Sequence, residues 1–306
     1  MPSWTELVDE VKKAGTTYDL IRRDYLRRLH RRTGRNVIAY YSAWLQKGHL
    51  RQFGATGFEV NDLDKDGFMA TIHRLDREKG LDLILHTPGG DIAATESLVA
   101  YLRDMFGTNV RAIVPQLAMS AGTMIALSCK QIVMGKHSSL GPIDPQVAGW
   151  AANAVIEEFE RAAREVESDQ SRIAIWAPII AKYSPTLIGT CEKAIVWSKE
   201  VVHQWLETGM FEGDADAVQK ASTVVDELGD HALQKTHDRH IGVDRAEELG
   251  LDIVRLEDDQ GFQEDVLSVH HAFTLTLADN PVVKMIENHE GIAHSRTIEV
   301  VGRGTP

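Results

Sequence analysis

The sequence predicts an α/β protein with a mostly parallel sheet, made of repeated ββα units. Two apolar runs, residues 81–85 and 110–114, have the length of buried strands. A helical pattern follows each of them, at residues 92–105 and 121–129. Strands that alternate with helices in this way are typical of parallel sheets, because a parallel neighbour needs a long crossover. Further helical patterns near both ends of the chain predict helical extensions of this core.

Composition restricts the function before any motif is considered. The 306 residues carry a net charge of −12, and 43% of them are apolar. That charge disfavours a nucleic-acid partner, which would require a basic surface. The chain has no apolar stretch of membrane-spanning length and its first residues do not resemble a signal peptide, so we expect a cytoplasmic protein with no membrane span. Cys129 and Cys191 are expected to be buried free thiols.

We expect three segments along the chain: an N-terminal helical arm (1–35), an α/β domain (36–260), and a C-terminal helix followed by a polar tail (261–306). The arm is rich in arginine between residues 22 and 32. Charge runs usually form solvated helix faces, and we expect that here, with packing on a neighbouring subunit as the alternative. Asp62, Asp64 and Asp66 indicate a solvated helix start. We expect the tail after Pro281 to lack regular structure.

Two polar turns follow the two apolar runs and carry the candidate chemistry. The first reads HTPGGD at residues 86–91 and the second reads AMSAGT at residues 118–123. Parallel strands would bring both turns to the same end of the sheet, where sites in α/β folds form. Backbone N–H groups at a glycine turn and at a helix start bind anions well. A serine hydroxyl among such donors is the arrangement that acyl transfer requires.

Ser120 is therefore the candidate nucleophile, although serine at a helix start can also be a simple N-cap. The candidate oxyanion donors are the N–H of Gly90 or Gly89 together with that of Ala121. The alternative for the two glycines is a tight turn without a catalytic role.

The two turns together resemble those of ClpP/crotonase-fold serine proteases, among them the Clp protease subunit and signal peptide peptidase A. Three further segments narrow the resemblance to the serine dehydrogenase proteinase family, a ClpP-like group. These segments are LGPIDPQ at residues 140–146, THD at 236–238 and EELGL at 247–251. The resemblance covers roughly residues 36–256. It implies a ClpP/crotonase-like fold and a serine peptidase that needs no cofactor.

The resemblance also implies a Ser, Asp, His triad, which maps by motif onto Ser120, Asp144 and His237. Signal peptide peptidase A instead resembles a Ser-Lys design, and Lys182 could supply the lysine here. Such a lysine must be desolvated to act as a neutral base.

Two other functions remain open for this fold. A crotonase-like enzyme acting on acyl-CoA thioesters would use the same oxyanion hole without Ser120, and a non-catalytic ClpP-like subunit would serve only in assembly. For the peptidase we expect a peptide or unfolded protein as substrate, held as an added strand beside residues 89–90. We also expect a homo-oligomeric ring. The histidines lack metal-ligand spacing, so we expect no metal. An ATPase partner is neither indicated nor excluded.

Overall fold

Residues 18–147, 149–229 and 240–298 are described by the computed structural model. Within these described residues, seven strands form the main sheet and four short strands lie outside it. The main strands are β1 (Asn36–Ser42), β2 (Leu81–His86), β3 (Val110–Val114), β5 (Gln131–Met134), β9 (Ile253–Arg255), β10 (Val282–Asn288) and β11 (Ala293–Thr297). The short strands are β4 (Leu117–Ala118), β6 (Ser139–Leu140), β7 (Gln146–Val147) and β8 (Trp150–Ala151).

The main sheet is mostly parallel, as the sequence predicts. Its strand order is β11-β10-β1-β2-β3-β5-β9. The strands from β1 to β9 in this order run parallel, whereas β10 is antiparallel to β1 and β11 is antiparallel to β10. This topology confirms the predicted α/β class and agrees with a ClpP-like fold.

Helices cover both faces of the sheet. They are α1 (Tyr18–Thr33), α2 (Trp44–Lys47), α3 (Asp64–Ile72), α4 (Ile92–Phe106), α5 (Ala121–Leu127), α6 (Ala152–Ser168), α7 (Ile173–Ile180), α8 (Leu187–Trp205), α9 (Ala217–Gly229), α10 (Val243–Glu248) and α11 (Gln260–Asp279). Side chains alternate along β1, so Ile38 and Tyr40 pack in one core while Val37 and Tyr41 pack in the other. The predicted extensions, α1 and α11, cover the second core.

A short ladder at the carboxyl ends of β2 and β3 supports both polar turns. Thr87 pairs with Ala118, Ala118 pairs with Leu140, and Leu140 pairs with Ile241. The backbone N–H of Met119 also donates to the carbonyl of Thr87, over 3.0 Å. The two turns are therefore held side by side, at the end of the sheet where the sequence predicts the site.

The expected solvated face of the N-terminal helix is confirmed for Arg27, Arg28, Arg31 and Arg32, which are exposed, but it is wrong for Arg22. Arg22 is buried and forms an ion pair with Glu287 of β10. Arg28 and Arg32 both pair with Asp265 of α11, whose side chain is buried. These carboxylates come from residues more than 230 positions away, so the local charge run gave no indication of them. The helix packs on its own chain.

The expected irregular tail is also wrong, because residues 282–297 form β10 and β11. β10 is almost entirely buried beside β1. Its apolar pattern is interrupted by Lys284 and Glu287, whose charges are paired inside the protein. Asp64, predicted at a solvated helix start, is the buried partner of Lys284. The segment boundaries at residues 35 and 260 remain a prediction.

Both cysteines are buried and free, as predicted. Burial raises the pKa of the Cys129 thiol to about 12, so this side chain behaves as a small apolar group. Among the described residues, no helix combines the length and the apolar character that crossing a bilayer requires.

Removal of β10 and β11 tests how far the fold depends on these strands. A chain that ends at Asn280 should show no cooperative thermal unfolding, because β1 loses a neighbour and Asp64 loses its buried partner. Circular dichroism during heating measures this. A chain that ends at Ile298 is the matched control and should unfold cooperatively. A cooperative transition at the full-length midpoint in the shorter chain would contradict the prediction.

Candidate active site

Ser120 occupies a strained bend between β4 and α5. Its backbone has φ 49° and ψ −115°, a combination that non-glycine residues rarely adopt. Its side chain forms no capping hydrogen bond with α5, so the N-cap alternative has no geometric support. A serine on a sharp turn from strand to helix resembles a nucleophile elbow, which exposes the hydroxyl.

The first turn lies directly against this bend, and its contact point is Gly89. A Cβ atom at Gly89 would lie 2.6 Å from the Met119 carbonyl oxygen and 2.7 Å from the Ser120 Cβ. Gly89 also has φ 94°, which strongly favours glycine. The structure therefore brings the two predicted turns into contact, and no other residue fits at position 89 without moving them apart.

The backbone donors near Ser120 differ in their availability. The Gly89 N–H donates to Thr87 Oγ1 over 3.2 Å. Within the described residues, no hydrogen-bond acceptor is found for the Gly90 N–H. Ala121 is the first residue of α5, so its N–H has no partner inside the helix. Of the two candidate glycine donors, Gly90 is therefore the one whose N–H is available.

The backbone of Val60 lies along one edge of the first turn, residues 86–91, which is the glycine turn of the site. The Val60 N–H donates to the Gly89 carbonyl over 2.7 Å, and the Asp91 N–H donates to the Val60 carbonyl over 2.9 Å. A Cβ atom at Gly90 would lie 2.3 Å from both the N and the O of Val60. Gly90 is therefore required for this close pairing, which was not anticipated from the sequence.

A cleft of about 500 Å³ opens beside Ser120. Both turns contribute to its lining, and side chains from other parts of the chain complete it. These are Trp44, Arg51, Glu59 and Gln146. Arg51 and Glu59 form an ion pair, with 2.6 Å between guanidinium nitrogen and carboxylate oxygen. The cleft has the size of a ligand site and could accept side chains of an extended peptide.

Thr123 links helix α5, which begins after Ser120, to the loop at residues 140–146, which carries Asp144 and is the Asp144 loop. Its hydroxyl donates to the Ala118 carbonyl and accepts from the Gly141 N–H, each over 2.8 Å. Sequence reasoning missed this role, although Thr123 was part of the second motif.

Asp144 is buried, with 2% of its surface exposed. The side-chain amide of Asn153 donates to Asp144 Oδ1 over 2.8 Å and also to the Gly229 carbonyl over 3.2 Å. The pKa of the nearby Cys191 thiol is raised, first by burial and then by the charge of Asp144. Asn153 was missed because no local pattern distinguishes this contact in a helical segment.

His237 lies outside the described residues. Described residues close to both ends of this gap contact the Asp144 loop at residues 140–146. The Leu228 carbonyl accepts from the Ile143 N–H over 3.1 Å, and Ile241 pairs with Leu140 through hydrogen bonds of 2.9 and 3.0 Å.

Lys182 follows α7 in an exposed turn, where its N–H donates to the Ile179 carbonyl. It is not among the residues that line the cleft. The desolvation that a lysine base requires is therefore absent at this position in the described chain.

A comparison with protein families shows which family this chain belongs to. Residues 10–286 match the family described as "ClpP-like SDH-type serine proteinase". The chain belongs to this family.

Two relatives of this chain come from Methanocaldococcus jannaschii. The uncharacterized protein MJ0137 is 31% identical over 190 residues, which cover 62% of this chain and 59% of that protein. The uncharacterized protein MJ1495 is 29% identical over 190 residues, which cover 62% of this chain and 57% of that protein. The chain thus spans less than two thirds of the length of these relatives.

A buried histidine lies behind the cleft. The His86 ring packs against Trp44, with 4.3 Å between ring centroids, and against Tyr41. Burial lowers the pKa of His86 to about 3, so the ring is neutral near pH 7. His86 therefore supports the cleft wall. In the described part of the chain, no group of three or more His, Cys, Asp or Glu side chains could hold a metal ion.

Substitution of Gly90 tests the pairing of the glycine turn with Val60. Gly90→Ala should separate Val60 from the turn, because the new methyl group overlaps backbone atoms. Amide hydrogen exchange at Val60 and Asp91 should then become faster. Gly48→Ala is the control, since Gly48 has φ −57° and open space around its Cβ position. Equal exchange rates in Gly90→Ala and the native protein would contradict the pairing.

Proposed function

We propose that the chain hydrolyses peptide bonds with Ser120 as nucleophile. The family is one of serine proteinases. The observation that carries the proposal is the strained bend of Ser120 at the start of α5. This bend lies against the glycine turn. In a hydrolase, such a bend would present the Ser120 hydroxyl beside preorganised N–H donors.

In the proposed mechanism, His237 is the general base and Asp144 orients it. His237 removes the proton from Ser120 Oγ as this oxygen attacks the scissile carbonyl carbon. The N–H groups of Gly90 and Ala121 stabilise the oxyanion of the tetrahedral intermediate. The protonated base then gives its proton to the leaving amine, which leaves an acyl-enzyme. Water, deprotonated by the same base, releases the acyl group and restores Ser120.

Chain geometry supports His237 as the base. The ladder from Ala118 through Leu140 to Ile241 crosses two strand spacings, or about 10 Å. Position 237 precedes Ile241 by four positions in the sequence, and an extended chain of four residue steps spans about 13 Å. The chain between position 237 and Ile241 is therefore long enough for a histidine at 237 to reach Ser120 and Asp144. The buried carboxyl group of Asp144 suits a residue that orients an imidazole.

We further propose that the substrate adds as an extended strand beside the glycine turn. Val60 occupies one edge of this turn through Gly89 and Asp91. Backbone groups of alternate residues point to opposite edges, so the groups of Gly90 face the other edge. A peptide paired there would bring its scissile carbonyl toward Ser120 and its side chains into the cleft.

A crotonase-like acyl-CoA enzyme and a non-catalytic subunit remain the alternatives. Both would keep the glycine turn, yet neither gives a use to the strained Ser120 bend. The bend therefore favours hydrolysis.

A homo-oligomeric ring that shelters the site is part of the proposal. Four large apolar side chains on α7 and α8 are substantially exposed in the single chain, and a neighbouring subunit could cover them. They are Ile173, Ile175, Val196 and Trp197. Light scattering tests the assembly against the 34.0 kDa mass of one chain.

Replacement of the nucleophile is the decisive test of the chemistry. Ser120→Ala should abolish peptide hydrolysis and labelling by a fluorophosphonate probe, with a fall in kcat on the order of 10⁶-fold. Ser171→Ala, which changes an exposed serine, should retain both activities. Thermal unfolding should show that both variants fold. Undiminished hydrolysis by Ser120→Ala would refute the assignment, and a native protein that the probe never labels would favour the alternatives.

The base is tested by comparing two substitutions. His237→Ala should lower kcat far more than Lys182→Ala, because only the histidine is proposed to receive the Ser120 proton. Hydrolysis by the native protein should also decline as the pH falls below about 6.5, where an ordinary imidazole becomes protonated. His240→Ala, at an exposed neighbouring histidine, is the control. A larger loss in Lys182→Ala would instead assign a Ser-Lys dyad.

A further inference from the structure

Lys284 of β10 forms a buried ion pair behind the candidate site. Its ammonium nitrogen donates to Asp64 Oδ1 over 2.8 Å and to Asp64 Oδ2 over 2.9 Å. Each of the two side chains is only 1% exposed. The same nitrogen donates to the backbone carbonyl of Glu59 over 2.5 Å. A residue near the C-terminus is thus in direct contact with the loop that precedes α3.

Asp64 holds the other end of this loop. Its Oδ2 accepts a hydrogen bond from the Asn61 N–H over 3.0 Å and another from the Tyr40 hydroxyl over 2.8 Å. Glu59 and Asn61, which flank Val60, are therefore both fixed by the ion pair. Val60 has little freedom to move while the pair is intact.

Val60 in turn fixes the glycine turn. It bonds to Gly89 and Asp91 on either side of Gly90, and Gly89 lies against Ser120. The connection from Lys284 to Ser120 therefore runs through hydrogen bonds and one van der Waals contact.

We propose that Lys284 is a positioning residue, which holds the Gly90 N–H at the oxyanion position through Glu59, Asp64 and Val60. This inference rests on the proposed hydrolysis at Ser120. Lys284 does not line the cleft and touches no reacting atom.

A contribution to stability alone is a poor explanation for this pair. Burying two charges carries a desolvation penalty for each ion, and apolar substitutes for such pairs are often neutral or stabilising. A buried pair does, however, impose a defined geometry on the groups that it contacts. Displacement of a catalytic group by about 1 Å can lower the rate on the order of 100-fold. An oxyanion hole requires its N–H donors at defined positions, and the ion pair would help to hold the Gly90 N–H in such a position.

The test removes the charges of the pair while it avoids an unpaired buried charge. In the Lys284→Met/Asp64→Asn variant, the amide oxygen can still accept from Asn61 and Tyr40, but the contact with Glu59 is lost. The matched control is Arg22→Met/Glu287→Gln. It changes a buried ion pair of the same strand, and Glu287 points to the opposite face from Lys284.

Two measurements are made on both variants. The first is kcat for peptide hydrolysis together with the rate of Ser120 labelling by the fluorophosphonate. Both should fall at least about tenfold in Lys284→Met/Asp64→Asn, because the oxyanion donors act in the transition state. The second is amide hydrogen exchange at Asp91, which should become faster. The control should keep native values in both measurements.

The outcomes separate this inference from the proposed function. A folded Lys284→Met/Asp64→Asn variant with native kcat overturns the positioning role, and so do equal losses in the control. If the native protein neither labels at Ser120 nor hydrolyses peptides, the proposed function fails. Exchange at Asp91 then still decides whether Lys284 holds the turn, and an unchanged rate overturns it.

A milder variant covers the case in which the double variant does not fold. Tyr40→Phe removes the hydroxyl that donates to Asp64 and that also interacts with the Thr87 side chain of the glycine turn, so it should lower kcat by about threefold, a smaller effect in the same direction. Native kcat in this folded variant would also overturn the proposal.

Discussion

The close approach of Gly89 to the Ser120 bend is the contact on which the candidate site depends. It is possible only because position 89 has no Cβ atom, which would lie 2.6 Å from the Met119 carbonyl oxygen. The contact joins the ends of β2 and β4, so the donors of one turn and the hydroxyl of the other share a small volume. Ser120 keeps its unfavourable φ of 49° because packing on both sides prevents the bend from relaxing.

Buried charges connect this site to distant parts of the chain. Glu287 joins β10 to the N-terminal helix α1, whereas Lys284 joins the same strand to the loop around Val60. Lys284 and Glu287, three positions apart on one strand, thus form ion pairs on opposite faces of the sheet. The geometry of the glycine turn consequently depends on a strand more than 190 residues away, which an account limited to the two motifs would not include.

The features that could be predicted from the sequence are those with a local signal. The two turns follow apolar runs of strand length, and their glycines and serine have steric reasons to be there. β10 had no such signal, because Lys284 and Glu287 interrupt its apolar pattern and only the folded chain supplies their partners. Thr123 and Asn153 escaped notice because their partners, Gly141 and Asp144, lie in a different motif or loop, and no helical or strand period connects the positions.

The proposed preference for a histidine base over a lysine base rests on the surroundings of Asp144 and of Lys182. Asp144 is a buried carboxylate, which is costly unless hydrogen bonds or charges compensate it, and Asn153 supplies part of that compensation. A carboxylate held in this way can orient an imidazole and stabilise its protonated form. A neutral lysine would need the opposite, an apolar environment without a nearby anion, and Lys182 lies exposed in a turn. The environment around Asp144 is therefore the main support for the triad that we propose.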